Sequence, residues 1–375
     1  MKVENKVCSK CIMDNSDPDI KFDSQGICNH CERYDSLVSS RVFDGDIGKI
    51  ELDTLIKKIK SDGKNKDYDC LIGVSGGVDS TYVAYLLKKH GLRPLAVHFD
   101  NGWNSELAVS NIEKTLSKLD IDLYTYVIDW PMFKDLQLSF LKASTPDGEI
   151  PTDHAIDSFL WNEASKRGIK YIISGMNFKS EAMSVPSWAY GHSDWKYIKS
   201  IQKKYGSKKL KNYPHYTFFD LFKFNILKGI RIVSILNYVD YNKEQVMKFL
   251  QDELGWIYYG GKHYESIYTR FYQSYILPEK FNIDKRRGHL SDLINSNQLS
   301  RASALIEIEK ETYDKELMTR DLNYVKKKLG FSDEKFNQIM NSPIKSFKDY
   351  PNNYSTVQFL RKTVNILRSV GLYFR

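Results

Sequence analysis

The chain has 375 residues, of which 42% are hydrophobic and 27% charged. This is a globular composition with room for two or three structural units, and no apolar run approaches the roughly 18 residues of a membrane span, so no membrane partner is expected. The net charge of +8 leaves nucleic acid or another anion open as a partner, and the opening "MKVENKVCSK" lacks an apolar signal core, so a cytoplasmic setting is expected.

Four of the five cysteines fall in the first 31 residues as "CSKC" (Cys8, Cys11) and "CNHC" (Cys28, Cys31). The C-x2-C-x16-C-x2-C spacing predicts a four-thiolate zinc site, structural because four protein ligands leave no open position. A disulfide framework is disfavoured by the cytoplasmic setting, and an iron–sulfur cluster is less usual at such spacings. His30 lies between two ligands and is not needed as a fifth. Cys70, inside the apolar "YDCLIGV", reads as a small buried hydrophobe.

Residues 36–69 read as a linker and a short amphipathic helix ending at Gly63. From there strands and helices alternate: "CLIGV", helical "STYVAYLLKKH" stopped by Gly91, "PLAVHFD", a helix opened by Ser105, "LYTYVID", helical "DHAIDSFLWNEASKRG", "IKYIISG" and "IRIVSILNYV". Such alternation predicts an α/β domain with a parallel sheet covered on both faces and ligands beyond the strands' carboxyl ends. The stretch Lys196 to Lys211 holds seven lysines and no acid; a solvated loop, an anionic nucleotide or nucleic acid would each account for it. Beyond "NKEQVMKFLQDELG" the pattern is helical. The expected units are a zinc module (1–45), a nucleotide-binding domain (46–240) and a C-terminal helical substrate or partner region (241–375).

The informative stretch is "GVSGGVDS", Gly73 to Ser80, between a strand and a helix. Two glycines let the backbone approach a ligand, successive N–H groups form an anion nest, and the helix N-terminus adds partial positive charge. Ser75 and Ser80 add hydroxyl donors. The lysine of G-x4-G-K-[ST] is absent, which argues against the usual γ-phosphate transfer.

"SGGVDS" resembles the PP-loop of the ATP pyrophosphatases, which cleave ATP between the α and β phosphates. Together with the cysteine pairs, "HFDNGW", "SGMNFKSE" and "YGGKHYESIYTRFYQSYILPEKFNIDKRRGHLSDLI", it is similar to the N-acetyl sugar amidotransferase family of bacterial surface-polysaccharide and nonulosonic-acid (lipopolysaccharide-type) biosynthesis. The resemblance touches most of the first 300 residues and says little of the last 75. It implies that Gly73, Val74, Ser75, Gly76, Gly77, Val78, Asp79 and Ser80 hold ATP and its Mg2+, with Asp79 catalytic. His98, Phe99 and Asp100 would offer backbone contacts to adenine, with the Asp100 carboxylate near the ribose or metal, although Asp100 reads equally as a turn cap. Gly175 would lie beside the nucleotide. Lys179 would donate to the α-phosphate, unless it is a solvated loop lysine. Lys262, Glu265, Arg270, Lys285, Arg286 and Arg287 would hold a nucleotide-activated acetamido sugar, with surface ion pairs as the alternative.

The resemblance further implies a two-step reaction: adenylation of an acetamido oxygen, then displacement of AMP by ammonia to leave an acetamidino group. No stretch resembles a glutaminase, so a separate glutaminase and a cyclase-like ammonia-delivery subunit are expected as partners. Two rivals stay open. One is tRNA thiolation, disfavoured with nucleic acid generally because only Cys70 remains near the loop; the other is a non-catalytic nucleotide-binding scaffold.

Overall fold

The computed structural model describes residues 6–261 and 264–359. Five parallel strands form one sheet: β1 (Cys70–Gly73), β2 (Pro94–Asp100), β3 (Leu123–Val127), β4 (Tyr171–Ser174) and β5 (Arg231–Ser234), in the order β3-β2-β1-β4-β5. All five predicted strands are present. The order reverses between β1 and β4, paired Leu71 to Ile172 and Ile72 to Ile173, so the crevice for a ligand falls beyond their carboxyl ends.

Side chains of β1 and β4 are buried on both faces because helices cover both. Cys70, Ile72 and Ile173 enter a core made with helices Gly45–Gly63, Val78–Lys89, Glu106–Leu119 and Lys243–Leu254. Leu71 and Ile172 enter the other, with helices Trp130–Ala143, Ile150–Lys166 and Trp195–Tyr205, much of the C-terminal region and the four N-terminal cysteines. The period-2 alternation of a strand thus sorts residues between two cores.

Four segments differ from the sequence reading. The linker and short helix are two helices, Asn29–Arg41 and the 19-residue Gly45–Gly63; the second is held by Leu52, Ile56 and Ile59, a stripe at helical spacing buried on the sheet. The lysine-rich run is, in its first part, helix Trp195–Tyr205 rather than loop, with Tyr197, Ile198, Ile201 and Gln202 buried beneath the lysines. The fifth strand stops at Ser234, where consecutive burial of Ile235 and Leu236 turns the chain into a 3-10 turn. Helix Trp130–Ala143 was not anticipated, although Asp129 caps it and Pro131 lies in its first turn.

The helical C-terminus reaches back to the N-terminal turns and to the sheet. Arg301 donates to the carbonyls of Cys11 (2.9 Å) and Cys8 (2.8 Å), and Arg287 to that of Ile12 (2.9 Å). Lys328 sits over the rings of Trp103 (4.8 Å) and Trp130 (5.0 Å), which fixes the turn after β2. Among the described residues no helix is long and apolar enough to cross a membrane.

Candidate active site and metal centre

The cleft beyond β1 and β4 is lined by Ser75, Gly77, Val78, Asp79, Ser80, Glu181, Lys243, Tyr259 and Glu265. Its loop depends on missing side chains. Gly76 has φ +78°, and a Cβ there would lie 2.4 Å from the Ala108 carbonyl oxygen. A Cβ on Gly175 would meet the Ser80 backbone N at 3.1 Å, so glycine gives the end of β4 its close approach to this helix. Gly73 packs on Leu160 and Val74 N donates to the Val97 carbonyl (2.9 Å), which carries β1 into the loop. The Ser75 hydroxyl accepts from Gly77 N (3.3 Å) and lies 3.4 Å from that of Ser80. Trp256, buried, donates to the Gly76 carbonyl at 2.8 Å.

Three carboxylates face this loop, Asp79, Glu181 and Glu265, and Tyr241 donates to Asp79. Burial first, then the Asp79 charge, pushes the Tyr241 hydroxyl well above its ordinary range; burial and the Glu265 charge do the same to Tyr259. Both stay protonated and can only help as neutral donors. The donor set suits Mg2+, which binds through one or two carboxylates plus phosphate oxygens and keeps several waters.

Residues singled out in the sequence occupy three kinds of position. The loop residues and Glu265 meet at the cleft. The side chains of His98 and Phe99 are taken up by packing, which does not bear on backbone contacts to adenine: the His98 Nδ1 donates to the Val74 carbonyl (3.0 Å), its Nε2 accepts from Asn104 (3.1 Å), and Phe99 stacks on Tyr126. Asp100 accepts from Gly102 N at 2.8 Å, the turn-cap alternative. Lys179 pairs with Asp44 at 2.6 Å, and from its short helix it is Glu181 that lines the cleft. Arg270 forms a buried two-pronged pair with Asp321 (2.6 and 2.9 Å), Arg286 pairs with Asp284, Arg287 with Asp14, and Lys285 with Glu149. Lys262 lies outside the described residues. Sequence reasoning missed Lys243, Glu181, Tyr241 and Tyr259. Lys243 had a signal, since Asn242 caps the helix it opens.

At the N-terminus Cys8, Cys11, Cys28 and Cys31 are fully buried, with all four Sγ atoms within 4.8 Å of one another. Cys28 Sγ lies 3.7 Å from both Cys11 Sγ and Cys31 Sγ. A tetrahedron with metal–sulfur bonds of about 2.3 Å has edges of about 3.8 Å, so the set fits zinc. Backbone N–H groups of Cys11 and Cys28 donate to Cys8 Sγ (3.4 and 3.2 Å), and those bonds strengthen when the sulfur is a thiolate. His30 is turned away to Asp17 at 2.8 Å.

Residues 69–180 match the family model described as queuosine biosynthesis protein QueC, and residues 265–363 that of the C-terminal domain of the lipopolysaccharide biosynthesis protein WbpG-like family. The chain thus carries a PP-loop domain of an ATP-utilising enzyme class. The particular companion of that domain is a WbpG-like C-terminal region, and the pair agrees with the amidotransferase resemblance. Among curated proteins, the tRNA-specific 2-thiouridylase MnmA of Desulfosudis oleivorans is 32% identical over 78 residues, covering 21% of this chain and 22% of its own. The 7-cyano-7-deazaguanine synthase of a Nitratiruptor species is 35% identical over 68 residues (18% and 30%), and the tRNA(Ile)-lysidine synthase of Chlamydia pneumoniae 37% over 71 (18% and 22%). The chain therefore spans less than a third of each of these relatives. Solved structures similar to it include the NH3-dependent NAD synthetase of Campylobacter jejuni (15% identity, 80% of this chain and 98% of that one, TM-score 0.34) and the NMN synthetase of Francisella tularensis (17%, 55% and 86%, TM-score 0.30).

Proposed function

We propose that this protein is an ATP-dependent amidotransferase that converts the acetamido group of a nucleotide-activated sugar to an acetamidino group, releasing AMP and pyrophosphate. The supporting observation is that Glu265, where the WbpG-like region begins, lines the same cleft as the phosphate loop.

The acetamido oxygen attacks the α-phosphorus of ATP, the bond to the bridging oxygen breaks, and pyrophosphate leaves with the electron pair. The O-adenylyl imidate then accepts the lone pair of ammonia at carbon, AMP departs and a proton is lost, giving the amidine. Activation is needed because an amide oxygen is a poor leaving group. The Ser75 and Ser80 hydroxyls and Lys243 line the cleft where the departing pyrophosphate builds negative charge. Asp79, Glu181 and Glu265 would hold Mg2+, which when bound neutralises phosphate charge. Ammonia comes from a separate glutaminase through a cyclase-like subunit.

Cys70 is fully buried in β1, and burial pushes its thiol up, so it is no sulfur-transfer nucleophile. The test is a side-by-side assay of AMP and sugar mass with ammonium, with glutamine, and with glutamine plus partner subunits. Amidine and AMP are expected with ammonium and not with glutamine alone. ADP and orthophosphate as main products, or salt-sensitive tRNA binding with sulfur transfer, overturns the reading.

A further inference from the structure

A second group of side chains meets at the same edge of the sheet, on the side of helix Ile150–Lys166. That helix precedes β4 and so runs antiparallel to it, which brings its first turn to the carboxyl ends of the strands; Asn101, just past β2, donates to Thr152 at 3.3 Å. Around this turn Asp153 pairs with His192 (3.3 Å) and Lys285 with Glu149 (2.9 Å), which also accepts from Gln273 (3.0 Å). Asp157 lies one turn further on, near Asp153, His192 and Tyr216, and the Tyr216 hydroxyl donates to the His192 carbonyl (3.5 Å). Asp153 and His192 keep 42% and 52% of their side-chain surface open to solvent, and Lys285 keeps 29%. The group forms a half-exposed mouth, and the buried floor behind it is Trp195, Tyr213 and Tyr216, whose rings pack around His154. In that floor the fully buried His154 binds the His192 carbonyl through Nδ1 (2.8 Å), while its Nε2 has no protein partner.

One short segment ties this mouth to the phosphate cleft. Glu265 lines the cleft, and the chain continues through helix Ile267–Phe271 to Gln273 at Glu149. At about 1.5 Å of rise per helical residue this separates the two by on the order of 10 Å. A molecule reacting at the α-phosphate can therefore rest its remainder here.

The chemistry of the mouth narrows what that remainder is. Among the described residues only the four cysteines bring three metal-ligating atoms within 4.8 Å, so the mouth is no preformed metal cage. Asp153 and Asp157 repel phosphate. The group offers acceptors (Asp153, Asp157) and donors (His192, Lys285) side by side, which suits hydroxyls, each of which donates and accepts at once. We propose that this mouth binds the pyranose ring of the acceptor, with Asp153, Asp157, His192 and Lys285 reading its hydroxyls. The assignment rests on the amidotransferase reading for the identity of the ring, and gives Lys285 a role that Arg270, Arg286 and Arg287 do not share.

The test is saturation-transfer NMR on the full chain with four probes at millimolar concentration: N-acetylglucosamine, N-acetylmannosamine, N-acetylneuraminic acid and UDP-N-acetylglucosamine. At least one probe is expected to receive saturation at its ring protons. His192→Ala, at a half-exposed position, and the isosteric Asp157→Asn are each expected to weaken that binding by about tenfold, the loss of one charge-assisted hydrogen bond, with ATP affinity unchanged. Unaltered binding in both variants, or no transfer to any probe, overturns the assignment. Sugar binding that is lost in the variants while the wild type forms no AMP keeps the subsite and removes the amidotransferase reading. AMP formation with an unaltered sugar KM in both variants keeps that reading and removes the subsite.

Discussion

The phosphate cleft and the cysteine cluster are built from opposite materials. At the cleft the shape of the backbone is set by where no Cβ exists, above all at Gly76, and the side chains of Ser75, Asp79 and Ser80 line the space that shape leaves. At the cluster four side chains do everything, and the backbone around them is held by arginines from the far end of the chain. A backbone-built site tolerates changed side chains better than an added methyl; a side-chain-built site fails when one atom is exchanged.

Four outcomes would break or sharpen that contrast. The largest concerns the cluster: Cys28→Ser is expected to remove about one zinc per chain and the order of residues 6–41, since structural zinc in small modules is worth on the order of 10 kcal/mol. Metal analysis with hydrogen exchange reads this, and iron with sulfide in the wild type would refute the zinc assignment. Next is the second side-chain-built feature, the buried Arg270–Asp321 pair. Arg270→Met is expected to cost about 3–5 kcal/mol in denaturant unfolding by leaving Asp321 uncompensated, whereas the double variant with Asp321→Leu regains most of it. An Arg270→Met protein of normal stability and raised sugar KM would return Arg270 to the substrate.

The cleft gives the third outcome. Asp79→Asn is expected to lower pyrophosphate release by about 100-fold or more with little change in melting temperature, Gly76→Ala to lower both, because its Cβ would meet the Ala108 carbonyl, and Ser75→Ala to lower release by less, because the loop's shape outlives that hydroxyl. Equal losses for Gly76→Ala and Ser75→Ala would contradict a backbone-built site. The smallest effect is in pH. Burial raises the Asp147 carboxyl to about 6, although Tyr197 and the Tyr190 N–H bond to it. A carboxyl held above its unfolded value binds more protons folded than unfolded, so stability falls as pH rises from about 4 to about 6, by at most roughly 1.4 kcal/mol per pH unit. Denaturant midpoints at pH 4.5 and 6.5 should differ in that sense, and less so in Asp147→Asn.

The parts legible in the sequence were those fixed by short-range geometry. Cys8, Cys11, Cys28 and Cys31 declare themselves by spacing, and Gly76 and Gly77 by lying between a strand and a helix. The five strands followed from apolar runs bounded by turns. What stayed hidden depends on partners far along the chain. Whether Arg287 meets a substrate or Asp14 is decided by a packing of residues some 270 positions apart, which no local pattern encodes. Lys179 and Lys243 look alike as lysines, and only the sheet order puts Lys243 at the loop and Asp44 beside Lys179. The lysine-rich helix was hidden because its apolar stripe, Tyr197, Ile198 and Ile201, is short and its charges dominate.

The arginine clasp on the cysteine turns has a consequence for biosynthesis. Cys31 emerges from the ribosome some 250 residues before Arg287 and Arg301, an interval of roughly 10–50 s at about 5–20 residues per second. For that time four thiols that end fully buried stand open to metal, oxidant and one another. Loading must therefore precede closure: a nascent chain that meets zinc early is sealed in the correct form, and one that is oxidised first presents the late arginines with the wrong surface.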